Sequence, residues 1–505
     1  MRRLVAALLA GALIGAGAGA AAAAGIGVDD ARFLLARTGF APTEAEVARL
    51  APLARGEAVD ALLAAVRTAA ASVAPAWVDE PFERPPGAQS SEDARRAYQQ
   101  REIRRGLELR SWWMREMLET PSPLTERMTL FWHNHFVSAQ QKVRSAQLMY
   151  RQNLLLRQHA LGNFGELLHA AAKDPAMLVY LDAATSRRAA PNENFAREVM
   201  ELFTLGEGRY AERDIREAAR AFTGWSVDPE TGRYRWRPLA HDDGVKTVLG
   251  RTGAFDGDAV LDILLAEPAT ARFIVTKLWR EFVAPDTSHP ADAAEIERIA
   301  ALFRGARYDL RTALRAILTS PRFYAPEHRG ALVKSPVDLV VGLVRQLGVR
   351  YTDPLPFAMF AAGLGQNLFA PPNVRGWPGG EAWINSSTLL ARRQLAERLL
   401  RADDPRGLMA GVPAAMTEAM LRPDAAPADA GGANRMRPEA RAPFARAALE
   451  VHLDVDAFVT ASGGPAGASL ARILLAVPPV TPPPAGSTPR QQLRALLHDP
   501  AYQVK

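Results

Sequence analysis

A stop-and-restart motif recurs along this chain. Apolar helical runs end in Leu118-Glu-Thr-Pro121, Ala172-Lys-Asp-Pro175, Leu265-Ala-Glu-Pro268, Leu318-Thr-Ser-Pro321 and Leu497-His-Asp-Pro500. Proline lacks an amide hydrogen and holds φ near its helical value, so it stops one helix and is tolerated as the first residue of the next. The last two stops share a wider pattern, Leu314-Arg-Ala-Ile-Leu-Thr-Ser-Pro321 and Leu493-Arg-Ala-Leu-Leu-His-Asp-Pro500. Their spacing is too uneven for a solenoid repeat. Strand-like alternation is confined to Arg233-Tyr-Arg-Trp-Arg237, expected to pair with Thr247-Val-Leu249 around the turn His241-Asp-Asp-Gly244. The pattern predicts an all-α fold, a large multi-helix body of packed helical hairpins with at most a small β-hairpin.

Local signals place several of these helices. Thr43 followed by Glu46 is a capping box after the break at Gly39-Phe-Ala-Pro42. A long helix rich in Arg and Glu is expected from Glu92 to Glu119, after a proline-rich loop over 74–90 whose Trp77 and Phe82 pack on the body. The family-sized helical domain spans 28–400. Residues 401–505 read as an Ala/Pro-rich extension, with linker-like composition at 423–445 and 476–490 and a terminal helix over 489–498 that docks back on the body.

Residues 1–24 read as an export signal: Met1-Arg-Arg3, an apolar run to about Gly15, then a small-residue run to Ala24. The run is too short and too rich in Gly and Ala for a membrane span, so the mature chain is expected to lack a transmembrane segment. Sec export is the expected route, with the twin-arginine route as the alternative. The protein is then periplasmic or secreted and works without ATP or NAD. Cysteine is absent, which excludes disulfides and thiolate chemistry and leaves only His and oxygen ligands for a metal. The net charge of +6 is spread without a basic block, which argues against nucleic acid as a partner. Only six of the 61 basic residues are lysines (Lys142, Lys173, Lys246, Lys277, Lys334, Lys505), so an interior lysine either survives by chance in an arginine-biased chain or marks a place that wants a compact ammonium in place of a planar fork.

The polar residues concentrate on one helical hairpin, residues 192–225. Asn192 is an N-cap and Gly206 a stop, and Phe195, Ala196, Val199, Met200, Leu202 and Phe203 form a broad apolar arc. Asn194, Arg197, Glu198 and Glu201 share the narrow remaining side. A second helix runs from Glu212 to Phe222. Glu198 and Glu201, one turn apart, suit acid/base work or a metal, against the plainer reading of a solvated face with an Arg197–Glu201 contact.

Two more segments carry chemistry. In His133-Asn134-His135 the two rings point about 200° apart on a helix, so they cannot share one ion. His135 reads as a satisfied core histidine and His133 as the functional one. His241-Asp242-Asp243-Gly244 with Lys246 gathers an imidazole, carboxylates and an ammonium on one turn. Together, His133, His241 and Asp242 would hold a divalent metal ion, with Glu198, Glu201 and Lys246 as catalytic groups and Asn194 and Arg197 as binding groups. Trp377 and Trp383, in a Pro/Gly-rich loop ending at Asn385, present aromatic surface or lock that loop onto the core.

The stretch 192–225 also resembles the signature of a bacterial family of exported proteins, domain of unknown function 1800. So do Glu126-Arg-Met-Thr-Leu-Phe-Trp-His-Asn-His-Phe136, His241-Asp-Asp-Gly-Val-Lys246, Lys334-Ser-Pro-Val-Asp-Leu-Val-Val-Gly342, Pro372-Asn-Val-Arg-Gly-Trp-Pro-Gly-Gly380 and Trp383-Ile-Asn385. The resemblance runs in order from about 28 to 400. It implies a mostly helical, exported protein and brings no established activity. It also implies a partner, because such proteins are often encoded beside an exported family resembling sulfatases, domain of unknown function 1501. Two functions follow as expectations: a partner or scaffold for that sulfatase-like protein, or a metal-assisted hydrolase acting on an extracellular ester, sulfate or glycan.

Overall fold

The computed structural model describes residues 25–401, 450–462 and 467–505. The expected leader, 1–24, and the linker-like stretch 423–445 lie outside the described residues. The regular structure is predominantly helical, and the strands form two small antiparallel two-stranded sheets.

The helices begin where the capping chemistry places them. Thr43 Oγ1 accepts from the Glu46 amide at 3.3 Å, while Glu46 Oε2 accepts from the Thr43 amide at 2.8 Å, which opens the helix Glu44–Leu50. Ser91 caps the long helix Glu92–Glu119. Pro175 and Pro268 occupy the first positions of Pro175–Tyr180 and Pro268–Phe282, and Pro500 opens the 3-10 turn Pro500–Gln503. Two prolines differ. Pro121 sits just before Pro123, which opens the helix Pro123–His135, and Pro321 enters a turn.

The strand pairing departs from expectation. Strand β1 (Trp225–Val227) pairs with β2 (Tyr234–Trp236), and β3 (Lys246–Val248) pairs with β4 (Arg251–Gly253). The expected pairing of the 233–237 segment with 247–249 does not form. Asp228 closes a turn to Arg233 by accepting the Glu230 and Thr231 amides and donating its own to the Arg233 carbonyl at 2.8 Å. Local closure over six residues costs less entropy than pairing across the longer 237–247 connection.

Two apolar cores meet at the helix Pro123–His135. Its Leu124, Met128, Phe131 and Trp132 join Phe164, Phe203 and Trp279 on one side. Leu130 joins Trp113, Met117, Val340 and Phe369 on the other. Every residue from Leu124 to His133 is buried, so its polar groups need partners. Glu126 accepts from Arg157 Nε at 2.7 Å, Arg157 Nη2 at 2.9 Å and Trp113 Nε1 at 2.9 Å. Arg127 donates to Asp338 and to the Gly39 carbonyl.

The chain's last residues belong to the second core. Val333 and Val504 form an antiparallel bridge, and the Lys505 amide donates to the Leu332 carbonyl at 2.8 Å. The helix Pro489–His498 packs against Ser386–Leu400, where Arg494 meets Glu397 at 2.5 Å. Among the described residues no helix is long and apolar enough to cross a membrane.

Candidate functional site

The polar hairpin forms, with a change of helical pitch at its centre. Asn192 Oδ1 accepts the Phe195 amide at 3.2 Å and opens the helix Glu193–Met200. The next residues, Glu201–Leu205, form a π-helical turn that closes when the Gly206 amide donates to the Glu201 carbonyl at 3.0 Å. Gly206 stops it with φ 83°, a conformation that an L side chain resists. The wider turn alters which carbonyls find helical partners. Thr204 Oγ1 donates to the Val199 carbonyl at 2.7 Å. Single π turns inside helices occur frequently at functional sites.

The Phe203 carbonyl is met from another helix. His135 Nε2 lies 3.2 Å from it, and Lys277 Nζ lies 2.9 Å from His135 Nδ1. Lys277 can only donate, so His135 Nδ1 accepts and Nε2–H donates to Phe203. Burial, then the neighbouring Arg280, pushes the Lys277 ammonium down to about 8. Burial and then Lys277 hold the His135 imidazole well below the ordinary histidine range, with the Phe203 bond acting the other way. The relay is therefore a neutral imidazole between an ammonium and a main-chain carbonyl.

The two glutamates meet Tyr180, Tyr210 and Arg375, from three segments, in a polar cluster. It forms a shallow recess only at Glu198, where the side chain is buried. Glu198 is 9% exposed and has no hydrogen-bond partner among the described residues. Burial first, then Glu201, raises its carboxyl above the ordinary range, while Arg375 and Arg197 pull the other way. Glu201 accepts a short hydrogen bond from the Tyr210 hydroxyl and lies 3.4 Å from Arg375 Nη2. The expected Arg197–Glu201 contact does not form. Arg197 reaches instead to Glu212, with two bonds of 2.9 and 2.7 Å, because the following helix brings that residue across the hairpin. Tyr180 stands near enough to Glu198 for that carboxylate to raise its hydroxyl, secondary to burial. Asn194 is exposed.

Arg375 reaches this recess because its loop is pinned to the central helix. Asn134 Oδ1 accepts the Trp377 amide at 2.7 Å, and a Cβ on Gly376 would stand 2.2 Å from Asn134 Oδ1. With φ 86°, Gly376 lets the loop pass at that distance. Arg375 then bonds Glu207 Oε1 at 2.5 Å. Four carboxylates (Glu198, Glu201, Glu207, Glu212) thus meet two guanidiniums (Arg197, Arg375), leaving the recess acidic. Chemically, Glu198, held above the ordinary carboxyl range, can hold or give a proton beside Glu201, whose Oε2 accepts from Tyr210.

The remaining expected site residues lie elsewhere. His133 is wholly buried among Trp113, Phe369 and Trp377, with ring centroids 5.3, 5.5 and 5.6 Å away. Neither of its ring nitrogens has a hydrogen-bond partner, and burial pushes it down to about 3. The helix extends through His135, so the two histidines do point apart, but His135 is the one that reaches the glutamate hairpin.

His241 Nδ1 is tied to the Thr223 carbonyl at 2.9 Å, at the far end of the hairpin from Glu201. Asp242 is held by Arg220 Nε at 2.8 Å and Nη2 at 3.1 Å, and that bonding brings it down to about 2. Lys246 is 1% exposed and donates to the Asp242 and Gly244 carbonyls at 2.5 and 2.9 Å, closing its own turn. His133, His241 and Asp242 are not brought together, and the described residues contain no group of three His, Asp or Glu side chains arranged for a metal. Trp377 and Trp383 are buried, at 4% and 6% exposed, and so hold the loop on the core. Asn385 caps the helix Ser386–Leu400.

Sequence reading missed Tyr210, Lys277 and Arg375 as members of this region. Lys277 had one signal, its place among the few lysines of an arginine-rich chain. Arg375 and Tyr210 had none beyond lying inside the resembling stretches 372–380 and 192–225. A family model described as "Protein of unknown function (DUF1800)" matches residues 33–504. No curated protein and no solved structure matches the chain.

Proposed function

The chain belongs to this family of unknown function, and on that footing we propose that it is an exported helical scaffold that receives a cationic side chain of a partner protein in the Glu198–Glu201 recess. The partner in this reading is the sulfatase-like exported protein of the domain of unknown function 1501 family. One observation carries it: the Glu198 residue is 9% exposed and makes no hydrogen bond among the described residues, in a cluster of four glutamates and two arginines. A carboxylate on a mostly buried side chain is poorly solvated, so a lysine or arginine pairing with it gains more than it would on open surface. The leader-like residues 1–24 support export.

A second reading is favoured by the raised Glu198 carboxyl beside the Tyr210-bonded Glu201. Two neighbouring carboxyls, one of them held above its ordinary range, suit acid/base hydrolysis of an extracellular ester, sulfate or glycan. In this reading the pair replaces the expected His133, His241 and Asp242 metal set.

Calorimetric titration of the purified partner into the mature chain tests the choice. Glu198→Gln and Glu201→Gln should each weaken binding by about tenfold or more, as the loss of a charged hydrogen bond predicts. Unchanged binding in both variants, or turnover of ester or sulfate by this chain alone that both variants abolish, would overturn the scaffold reading.

A further inference from the structure

A second region, remote from the glutamate recess in the fold, holds a buried charge without a bond. The C-terminal residues pair with the segment 332–334, and the Lys334 amide donates to the Gln503 carbonyl at 2.8 Å. That pairing fixes the Lys334 backbone and sends its side chain over the Tyr502 ring, with Nζ 3.8 Å from the centroid. Lys334 is 9% exposed, and its ammonium has no hydrogen bond among the described residues.

The buried cations around it are bonded. Lys505 Nζ lies 2.9 Å from Asp338 Oδ2, and Arg127 takes Asp338 Oδ1. Arg392 Nη2 donates to the Lys334 carbonyl at 2.9 Å, and Arg37 donates to the Phe282 and Val283 carbonyls. Asp338, the buried carboxylate of this cluster, therefore has both oxygens engaged by cations other than Lys334. Among the buried cations of this cluster, Lys334 is the one whose head group has no acceptor.

Lys334 opens onto a cavity of about 550 Å³. Lys334, Asp338 and Lys505 line one part of it, and Phe33, Phe40, Leu474, Val477 and Val504 are among the apolar residues lining the rest. The charged residues Asp29, Asp30, Arg32, Arg329 and Arg472 also border this open cleft, and a largely apolar cleft with a few placed polar groups is the ordinary form of a small-molecule site.

We propose that this cavity binds an anionic amphiphile, with a carboxylate head hydrogen-bonded to Lys334 and an alkyl tail along the Phe33–Phe40 wall. The tail gains from leaving water, and the head supplies the acceptor and the negative charge that the Lys334 ammonium lacks. A cationic head would meet the Lys334 ammonium with like charge and is disfavoured. The site is independent of the Glu198 recess and of any partner protein.

Decanoate, acetate and decyltrimethylammonium, each titrated calorimetrically into the mature chain below micelle-forming concentration, test this. Decanoate should bind at one site, and acetate and the cationic amphiphile far more weakly. Lys334→Met should weaken decanoate about tenfold or more. Ala36→Phe, which fills the cavity from the helix Val28–Thr38, should do the same, with folding of both variants checked by circular dichroism. If Lys334→Met proves misfolded, the Ala36→Phe comparison decides alone. No decanoate binding, equal binding of the cationic amphiphile, or folded variants that bind like the wild type would each overturn the assignment.

Discussion

Lys277 and His135 form a 2.9 Å Nζ–Nδ1 contact that carries a side-chain hydrogen bond into the Phe203 carbonyl of the π turn. Two helices far apart in sequence thus complete the backbone of a third. The glutamates of that third helix owe their positions to this support as much as to their own periodicity.

Replacing His135 with Phe leaves the Phe203 carbonyl without its partner and strands the Lys277 ammonium. A buried unsatisfied group costs about 1–3 kcal/mol, so urea denaturation should show a loss in that range. Hydrogen exchange should quicken at the Gly206 amide. A variant with wild-type stability and exchange would contradict the support assigned to this contact.

Glu198 gives a pH prediction of definite sign. Its folded carboxyl lies above the ordinary value, so the native state binds more protons than the unfolded state in the window above pH 4.5. Stability is therefore lost as pH rises through that window, because ionising the buried group is resisted. Glu198→Gln should raise the melting temperature at pH 7, and the gain should shrink towards pH 4. A gain that grows on acidification would reverse the sign.

The pair Glu126–Arg157 is fully buried between the two cores. Glu126→Ala should cost about 3–5 kcal/mol, since it strands a buried guanidinium. The double replacement Glu126→Met with Arg157→Leu should cost much less than that single change, because no charge remains to bury. Chemical denaturation of the three proteins measures this directly. Additive losses would show that the two residues act separately.

Lys334 gives the opposite pH trend. Burial foremost, with Lys505 and Arg392 adding and Asp338 opposing, brings its ammonium down to about 7 from an ordinary 10.5. The unfolded chain thus binds more protons between those values, and the stability of the wild type rises with pH across that window. Lys334→Met removes the cost, so its advantage in melting temperature should be largest below pH 7 and fade towards pH 10.5. A constant difference across this range would mean that the amine titrates normally.

The fold was largely legible because its determinants are local. Thr43, Ser91 and Asn192 act through bonds within three residues, and the prolines act through their own rings. The strand partners were not legible, since alternation marks Tyr234–Trp236 as extended without saying that Trp225–Val227 lies beside it. The candidate site divides in the same way. Periodicity put Glu198 and Glu201 on one polar side, but the π turn depends on contacts with Thr204 and the distant His135. Helical geometry separated His133 from His135 correctly and could not tell which of them faced the hairpin. Arg375 arrives through a glycine loop seated on Asn134, a contact that spans 243 positions and leaves no periodic trace.

The docking proposed at Glu198 is tested most directly by carboxyl footprinting with a carbodiimide and an amine, with and without the proposed partner. The expected result is that partner binding shields Glu198 and Glu201 from labelling, while exposed carboxylates such as Asp60 and Glu92 keep their labelling. Unaltered labelling of both glutamates in the assembled complex would contradict the docking of a cationic side chain there.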